Sequence, residues 1–140
     1  MALILWGGGR AVSIKNTVSD LLAREWAYEK INNSPKGRQI KRWAQKTNKT
    51  CPGNRCNHIR FDSLSLSVIA FGHIIPQDWA RSFTYILGKK DHPDNLYLTC
   101  KGCNSSLSNN FPDSTLRREV YKRGTIGDWL RNAEDKIRKL

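Results

Sequence analysis

The sequence predicts a small α+β domain in which two short β-strands are flanked by helices at both ends of the chain. A chain of 140 residues fits one compact domain rather than two. Two short segments with strand character, Ser63 to Ala70 and Asn95 to Thr99, lie in its middle. We divide the chain into a basic helical extension (1–50), a central core (51–112) and C-terminal helices that pack on that core (113–140).

Two segments before the core have helical features. Thr17 to Ile31 has an apolar helical face behind a Thr17-x-x-Asp20 capping box. Arg38 to Lys49 is strongly basic and surrounds Trp43. This second segment is either a nucleic-acid-binding arm or a solvated helix face with Trp43 in the core. In the first case the candidate phosphate contacts are Arg38, Lys41, Arg42 and Lys46.

Two more helices are predicted after the core. Leu116 and Val120 lie one turn apart in the first, which ends at Gly124. The second begins at a Thr125-x-x-Asp128 capping box and continues with an apolar helical stripe. This stripe needs a partner surface, and the rest of the domain is the simplest one.

The charge of the chain predicts a polyanionic partner. Lys and Arg number 24 against 12 Asp and Glu, which gives a formal net charge of +12. Each phosphate that a basic protein neutralises releases condensed counterions, so such an excess favours nucleic acid. No stretch approaches the roughly 20 apolar residues of a membrane span, and the apolar start of the chain is too short for a secretory signal. We therefore expect a soluble cytoplasmic protein with no membrane partner.

The four cysteines form two close pairs, Cys51-x4-Cys56 and Cys100-x2-Cys103. In a reducing compartment, pairs with this spacing bind metal more often than they form disulfides. Four thiolates complete the tetrahedral shell of Zn²⁺ and leave no open position for water. The sequence therefore predicts a structural zinc site, with disulfides or free core thiols as the alternative.

The order of motifs in the core resembles a known family. Cys51-x4-Cys56 is followed by a strand ending in His73-Ile-Ile-Pro76, by a loop, and by Asn95-Leu-x-Leu-x-Cys100-x2-Cys103-Asn104. This arrangement is similar to that of the HNH endonucleases, which have a ββα-metal core, and the similarity extends from Cys51 to Asn110. His73, Asn95 and Asn104 stand at the three motif positions, as an H-N-N variant.

The resemblance implies a fold and a chemistry. The fold would be a ββα-metal core with a four-cysteine zinc site, flanked by helices. The activity would be metal-dependent hydrolysis of phosphodiester bonds in double-stranded DNA, by nicking or by double-strand cleavage. His73 would be the general base, because imidazole accepts protons at neutral pH. Asn95 would fix the loop that orients His73, and the side-chain oxygen of Asn104 would bind one Mg²⁺ or Mn²⁺.

One position departs from the family pattern. Many members carry a metal-binding Asp before the first motif His, where this chain has Gly72. Another acid (Asp62, Asp91 or Asp94) could reach the ion, water and phosphate could complete its shell, or the site could be inactive. The first alternative function is therefore a catalytically inactive, zinc-stabilised DNA- or RNA-binding module. The second is a structural zinc protein that docks a protein partner.

The resemblance also bears on origin and assembly. Free-standing HNH proteins of this size are typical of bacteriophages and mobile elements, which places the expected cytoplasm in a bacterial or phage-infected cell. A monomer with one site would nick one strand, whereas a homodimer would cut both. Two more histidines lie near the motifs: His58 is a conceivable substitute zinc ligand, and His92 could contact substrate or metal.

Overall fold

The computed structural model describes residues 34–76, 92–108 and 110–140. Its helices and strands are α1 (Pro35–Lys46), β1 (Ile69–His73), β2 (Leu96–Cys100), α2 (Lys101–Leu107), α3 (Ser114–Arg123) and α4 (Ile126–Arg138). The predicted α+β class is confirmed. The helix predicted over Thr17 to Ile31 and most of the loop before Asn95 lie outside the described residues.

The two strands form an antiparallel hairpin. Its register pairs Ile69 with Cys100, Phe71 with Leu98 and His73 with Leu96. Because side chains alternate along a strand, every second residue shares a face. The face that carries Phe71 and Leu98 packs in the main core with α1 and α4. The opposite face carries Gly72 and Tyr97, and Tyr97 packs with residues of α3 in a smaller cluster.

The strand predicted over Ser63 to Ala70 begins later than expected, so this prediction was wrong in its first half. Two 3-10 turns, Phe61–Ser63 and Leu66–Val68, precede β1. The reason lies in the partner strand, which ends at Cys100, opposite Ile69. Residues before Ile69 have no strand to pair with, and their backbone forms local turns instead.

Helix α1 covers the main core. Ser34 is its N-cap and accepts a hydrogen bond from Gly37 N at 2.9 Å, and a proline opens its first turn. Trp43 is buried, and its ring centroid lies 5.3 Å from that of Trp129 on α4. Trp43 therefore lies in the core, as the second alternative has it, and the phosphate contacts of the basic segment stay a prediction.

The C-terminal helices begin and end where the sequence indicates. Helix α3 ends before Gly124, and Thr125 and Asp128 form the predicted capping box of α4. Helix α4 contains one kink, at Ala133, where the backbone leaves helical geometry. Within the described residues, no helix has the length and apolar character needed to cross a bilayer.

Candidate metal centre and active site

The four cysteines converge at one end of the hairpin. Their sulfur atoms all lie within 4.8 Å of one another, and none of them is in a disulfide. A tetrahedral zinc with Zn–S bonds of about 2.3 Å separates its sulfurs by about 3.8 Å. The donor set and the spacing therefore suit a metal ion such as zinc. Among the described residues, this is the one group of three or more Cys, His, Asp or Glu that could hold a metal.

Each cysteine pair is held by its own backbone. In the knuckle formed by residues 51–58, Cys51 N donates to Ile59 O at 2.9 Å and His58 N donates to Gly53 O at 3.2 Å. In the second pair, the Cys100 sulfur caps α2 and accepts from Cys103 N at 3.3 Å. These bonds hold the sulfurs of both pairs toward one point.

The knuckle approaches α2 so closely that one position requires glycine. A Cβ on Gly53 would lie 2.6 Å from the Cys103 sulfur, well inside van der Waals contact. Gly102 is different, since a Cβ there would meet only the Cys100 sulfur, at 4.0 Å. The close approach therefore requires glycine at residue 53 and not at residue 102.

The environment of the sulfurs affects their ionisation. Burial raises the pKa of Cys51, and burial together with a hydrogen bond to Cys100 raises that of Cys103. Burial also tends to raise the pKa of Cys56. Hydrogen bonds with the backbone of Ile59 and with the neighbouring sulfurs outweigh this effect, so the pKa of Cys56 is lowered. A bound cation would stabilise the thiolate form of all four, because metal ligation requires deprotonated sulfur.

Thr99 also contacts the cluster, and the sequence analysis did not single it out. Its hydroxyl lies 3.3 Å from the Cys51 sulfur, which also accepts a hydrogen bond from Cys100 N at 3.3 Å. The position of Thr99 one residue before Cys100 is only a weak sequence indication of this contact, because the contact depends on which face of β2 meets the knuckle.

At the other end of the hairpin, Asn95 fixes the chain that follows His73. Its side-chain oxygen accepts a hydrogen bond from Ile75 N at 2.7 Å. Its amide nitrogen donates to Ile75 O at 3.1 Å. Asn95 is only 2% exposed, and its carbonyl oxygen accepts from Ile74 N at 2.9 Å. Asn95 thus holds the two residues directly after the half-buried His73, although it precedes β2 instead of opening it.

Asn104 lies inside α2, not at its start. The helix begins at Lys101, before Cys103, and its N-cap is Cys100. Asn104 is therefore the fourth residue of this helix, which already includes Cys103. Asn104 is half-buried, and α2 packs against both β1 and β2.

Gly72 precedes His73, and the space beside it is occupied by a side chain of the partner strand β2. Gly72 pairs with Tyr97, and a Cβ on Gly72 would lie 2.5 to 2.9 Å from three atoms of the Tyr97 ring. Burial raises the pKa of the Tyr97 hydroxyl, as do the charges of Cys51 and Cys103. The ring thus occupies the space into which a side chain at residue 72 would extend.

Two of the three acids considered as replacements are engaged elsewhere. Asp62 forms an ion pair with Arg60. Asp94 forms one with Arg131 of α4, with an N–O distance of 2.9 Å. Asp91, the third, lies outside the described residues. Both described acids are therefore paired with arginines.

The two further histidines have local contacts. Nδ1 of His58 lies 3.1 Å from Cys51 O, within the knuckle, and four sulfurs already form the cluster. Nδ1 of His92 accepts from Asp94 N at 3.1 Å and caps the 3-10 turn Pro93–Asn95. A cleft of about 230 Å³ lies beside the knuckle, between α2 and α3, and His58 lines it while His73, Asn95 and Asn104 do not.

Comparisons of the chain with models of protein families, with curated proteins and with solved structures found no match. The resemblance to the HNH family therefore depends on the motif residues, their order and their spacing. The two antiparallel strands, the helices and the four-cysteine cluster are features of the structure and do not depend on that resemblance.

The four cations predicted to contact nucleic acid do not share one environment. Arg38, Arg42 and Lys46 are exposed on α1. Lys41 is only 5% exposed, and its amine lies 5.5 Å from the centroid of the Phe71 ring on β1. Burial lowers the pKa of Lys41, and the charges of Lys101 and Arg38 lower it further. Lys101, which was not among the predicted contacts, is therefore close enough to Lys41 to affect its pKa, as Arg38 is.

Proposed function

We propose that this protein is a metal-dependent DNA endonuclease of the HNH type, with His73 as its general base. The observation that carries the proposal is the double hydrogen bond between the Asn95 side chain and the backbone of Ile75. An amide that bonds both polar groups of one residue fixes the backbone at that point. Here that point lies two residues after His73, so the backbone that carries the imidazole is held in place, as a positioned general base requires.

The hairpin and α2 support the same proposal. His73 and Asn104 are both half-buried, one at the end of β1 and the other on a helix that packs across both strands. The four-cysteine cluster joins the knuckle before β1 to the junction of β2 and α2. A bound zinc would stabilise this small motif without taking part in the reaction.

The chemistry divides among these residues. His73 accepts the proton of the water that attacks the phosphorus. Asn95 keeps His73 in place and does not touch the substrate. Asn104 offers an amide oxygen, a ligand type that hard divalent cations accept. A divalent cation such as Mg²⁺ or Mn²⁺, when bound, supplies stabilisation of the charge on the phosphate and on the leaving oxygen.

The proposal is tested by incubating zinc-loaded protein with supercoiled plasmid and adding Mg²⁺ or Mn²⁺. We expect nicked circles with either ion and none without divalent metal. His73→Ala should lower the nicking rate by about 10² to 10⁴, the usual contribution of a general base. Asn104→Ala should raise the metal concentration needed for half-maximal rate.

The matched control is Ser105→Ala, which changes the exposed neighbour of Asn104 on the same helix. It should nick at the wild-type rate and bind the same amount of zinc. Equal nicking by His73→Ala and wild type would overturn the assignment of the base.

A specific observation favours a second candidate function, an inactive zinc-stabilised nucleic-acid-binding module. The Tyr97 ring fills the place of the acid that many HNH members carry, and Asp62 and Asp94 are held by arginines. If wild-type protein binds DNA but does not nick it with any divalent metal, this second function is the correct one.

A further inference from the structure

The two C-terminal helices differ in the balance of their charges. Helix α3 carries four cations and a single carboxylate, that of Glu119. The longer helix α4 carries three cations and three carboxylates, and two of its cations, Arg131 and Arg138, form ion pairs with acids of the same helix. Because neighbouring opposite charges cancel at a distance, α4 presents little net field, whereas α3 presents a positive one.

The excess charge of α3 lies on one side of the helix. Arg123, at its C-terminal end, pairs with Glu119 one turn earlier, and both side chains are half-buried. The other three cations of α3 are all exposed: Arg117, Arg118 and Lys122. At about 100° of rotation per residue, these three lie within an arc of about 140° around the helix axis. The net positive charge of α3 therefore faces outward in one direction.

This side of α3 is open to solvent. The helix packs on the hairpin through the cluster that Val120 forms with Ile74 and Tyr97, and Val120 lies on the other side of the helix from the arc. Tyr121 lies within the arc and is 58% exposed. Among the described residues, none of the three cations in the arc forms an ion pair with a carboxylate. Their charges are therefore available to an external anion.

We propose that the outer face of α3, formed by Arg117, Arg118, Tyr121 and Lys122, binds the phosphate backbone of a DNA duplex. Guanidinium and ammonium groups are donors that suit phosphate oxygens, and the tyrosine hydroxyl adds a neutral donor. A protein partner would need an apolar patch at the centre of the interface, and this face offers only one tyrosine ring. The inference rests on the proposed function in taking DNA as the partner, and it does not depend on strand cleavage.

Helix α4 provides the matched control. Lys136 is exposed on α4, as Lys122 is on α3, but it follows Asp135 on a helix whose charges balance. Replacing either lysine by methionine removes one surface charge and keeps a good helix former. A DNA-binding face on α3 predicts a large loss of affinity for one variant and a small loss for the other. A diffuse positive field predicts equal losses.

The test measures the affinity of zinc-loaded protein for a fluorescent DNA duplex by anisotropy, in a salt series without added divalent metal. Each phosphate contact contributes about 0.9 to the slope of log K against log salt, which corresponds to about eightfold in affinity at about 0.1 M salt. Lys122→Met and Arg118→Met should therefore each weaken binding about eightfold and lower the slope by about one. Lys136→Met should weaken binding by less than about twofold. Equal losses for Lys122→Met and Lys136→Met would overturn the DNA-binding face.

Competition separates DNA from other polyanions. Unlabelled duplex should displace the fluorescent duplex at a far lower concentration of negative charge than polyglutamate does. Polyglutamate that displaces it equally well would contradict a face for the phosphate backbone and would indicate an acidic protein partner instead.

The outcomes also separate this inference from the proposed nuclease activity. If Lys122→Met loses affinity and wild-type protein does not nick plasmid, the DNA-binding face stands and the nuclease proposal falls. If wild type nicks plasmid and Lys122→Met binds DNA as Lys136→Met does, the nuclease proposal stands and the DNA-binding face falls. Wild-type protein without measurable affinity for the duplex would overturn both.

Discussion

The side-chain amide of Asn95 joins two segments that are twenty residues apart in the sequence. Both of its polar groups bond to Ile75, and the residue is almost fully buried. Removal of a buried partner leaves its donor and acceptor unsatisfied, at a cost of about 1 to 3 kcal/mol for each group. The position of the chain after His73 therefore depends on this one side chain.

Asn95→Ala should accordingly lower the free energy of unfolding by about 2 to 4 kcal/mol. It should also lower the nicking rate while zinc content stays at the wild-type value. Urea unfolding and the plasmid assay measure the two effects. Asn95→Asp keeps the oxygen that accepts from Ile75 N but turns the donor to Ile75 O into a second acceptor at a buried position, so its loss of stability should be at least as large. A nicking rate for Asn95→Ala equal to that of wild type would show that His73 does not need this support.

The lowered pKa of Lys41 predicts how the stability of the protein depends on pH. Its folded-state pKa is lowered by burial and by the charges of Lys101 and Arg38, from an ordinary value of 10.5. Folding therefore opposes the charged form, and the unfolded chain binds more protons in this range. By linkage, the stability of wild type relative to Lys41→Met rises as pH increases through the folded pKa, and it levels off above 10.5.

Urea unfolding of the zinc-loaded proteins without DNA, from neutral pH to above the ordinary lysine pKa, measures this difference. We expect Lys41→Met to be at least as stable as wild type at neutral pH, with the gap closing as pH rises. A gap that widens with pH would mean that the folded protein stabilises the charged amine.

At the scale of elements, the ends of helices are determined by local chemistry. The capping box of α4 unites Thr125, whose hydroxyl accepts from Asp128 N at 3.1 Å, with Asp128, whose carboxylate accepts from Thr125 N at 2.9 Å. Such a pair satisfies two donors at the start of a helix. Helix α4 in turn covers the core with Trp129 and Leu130, so its N-terminus contributes to the support of the hairpin.

Thr125→Ala should destabilise the protein by about 1 kcal/mol, the usual contribution of an N-cap side chain. Thr125→Ser keeps the oxygen and should lose less. Both variants should nick plasmid at the wild-type rate once folded, because α4 carries none of the proposed catalytic residues. The midpoint of urea unfolding measures the first effect, and an unchanged midpoint for Thr125→Ala would show that the cap is dispensable.

The elements also show where prediction from sequence succeeds and where it ends. The cap at Thr125 and the end of α3 at Gly124 were predictable because they depend on residues within one turn. The start of β1 was not, because it depends on where β2 ends. For the same reason the contact of Tyr97 with Gly72 was not foreseen, since a cross-strand pair requires the register.

The site was predictable to a similar extent. The cysteine pairs indicated one cluster, and their spacing alone carries that information. The environment of Lys41 was not predictable, because the basic segment around Trp43 was equally compatible with an exposed arm. Its burial follows from the packing of α1 on the hairpin, and that packing is a property of the tertiary structure.

At the scale of the whole molecule, the cysteine cluster joins the knuckle, β2 and α2. Small domains of this kind often derive most of their folding free energy from the metal. The side chain of Arg123 adds a second tie, since its Nε donates to Thr50 Oγ1 at 2.9 Å and links α3 to the chain before the knuckle. The hairpin is therefore supported at its cysteine end by the cluster and by α3.

Zinc removal should unfold the core. We expect one zinc per chain, released when four thiols react with a chromogenic disulfide, and loss of the cooperative thermal transition by circular dichroism after chelation. Added zinc should restore that transition. Four thiols that react at once without metal release, in protein that keeps its transition, would contradict a structural zinc.

The central claim is that the imidazole of His73 transfers a proton during strand cleavage. Its most direct test is the nicking rate of zinc-loaded His73→Ala with and without added imidazole, beside Asn104→Ala under the same conditions. The account predicts that imidazole restores part of the rate of His73→Ala and leaves that of Asn104→Ala unchanged. Nicking by His73→Ala at the wild-type rate before any imidazole is added would contradict it.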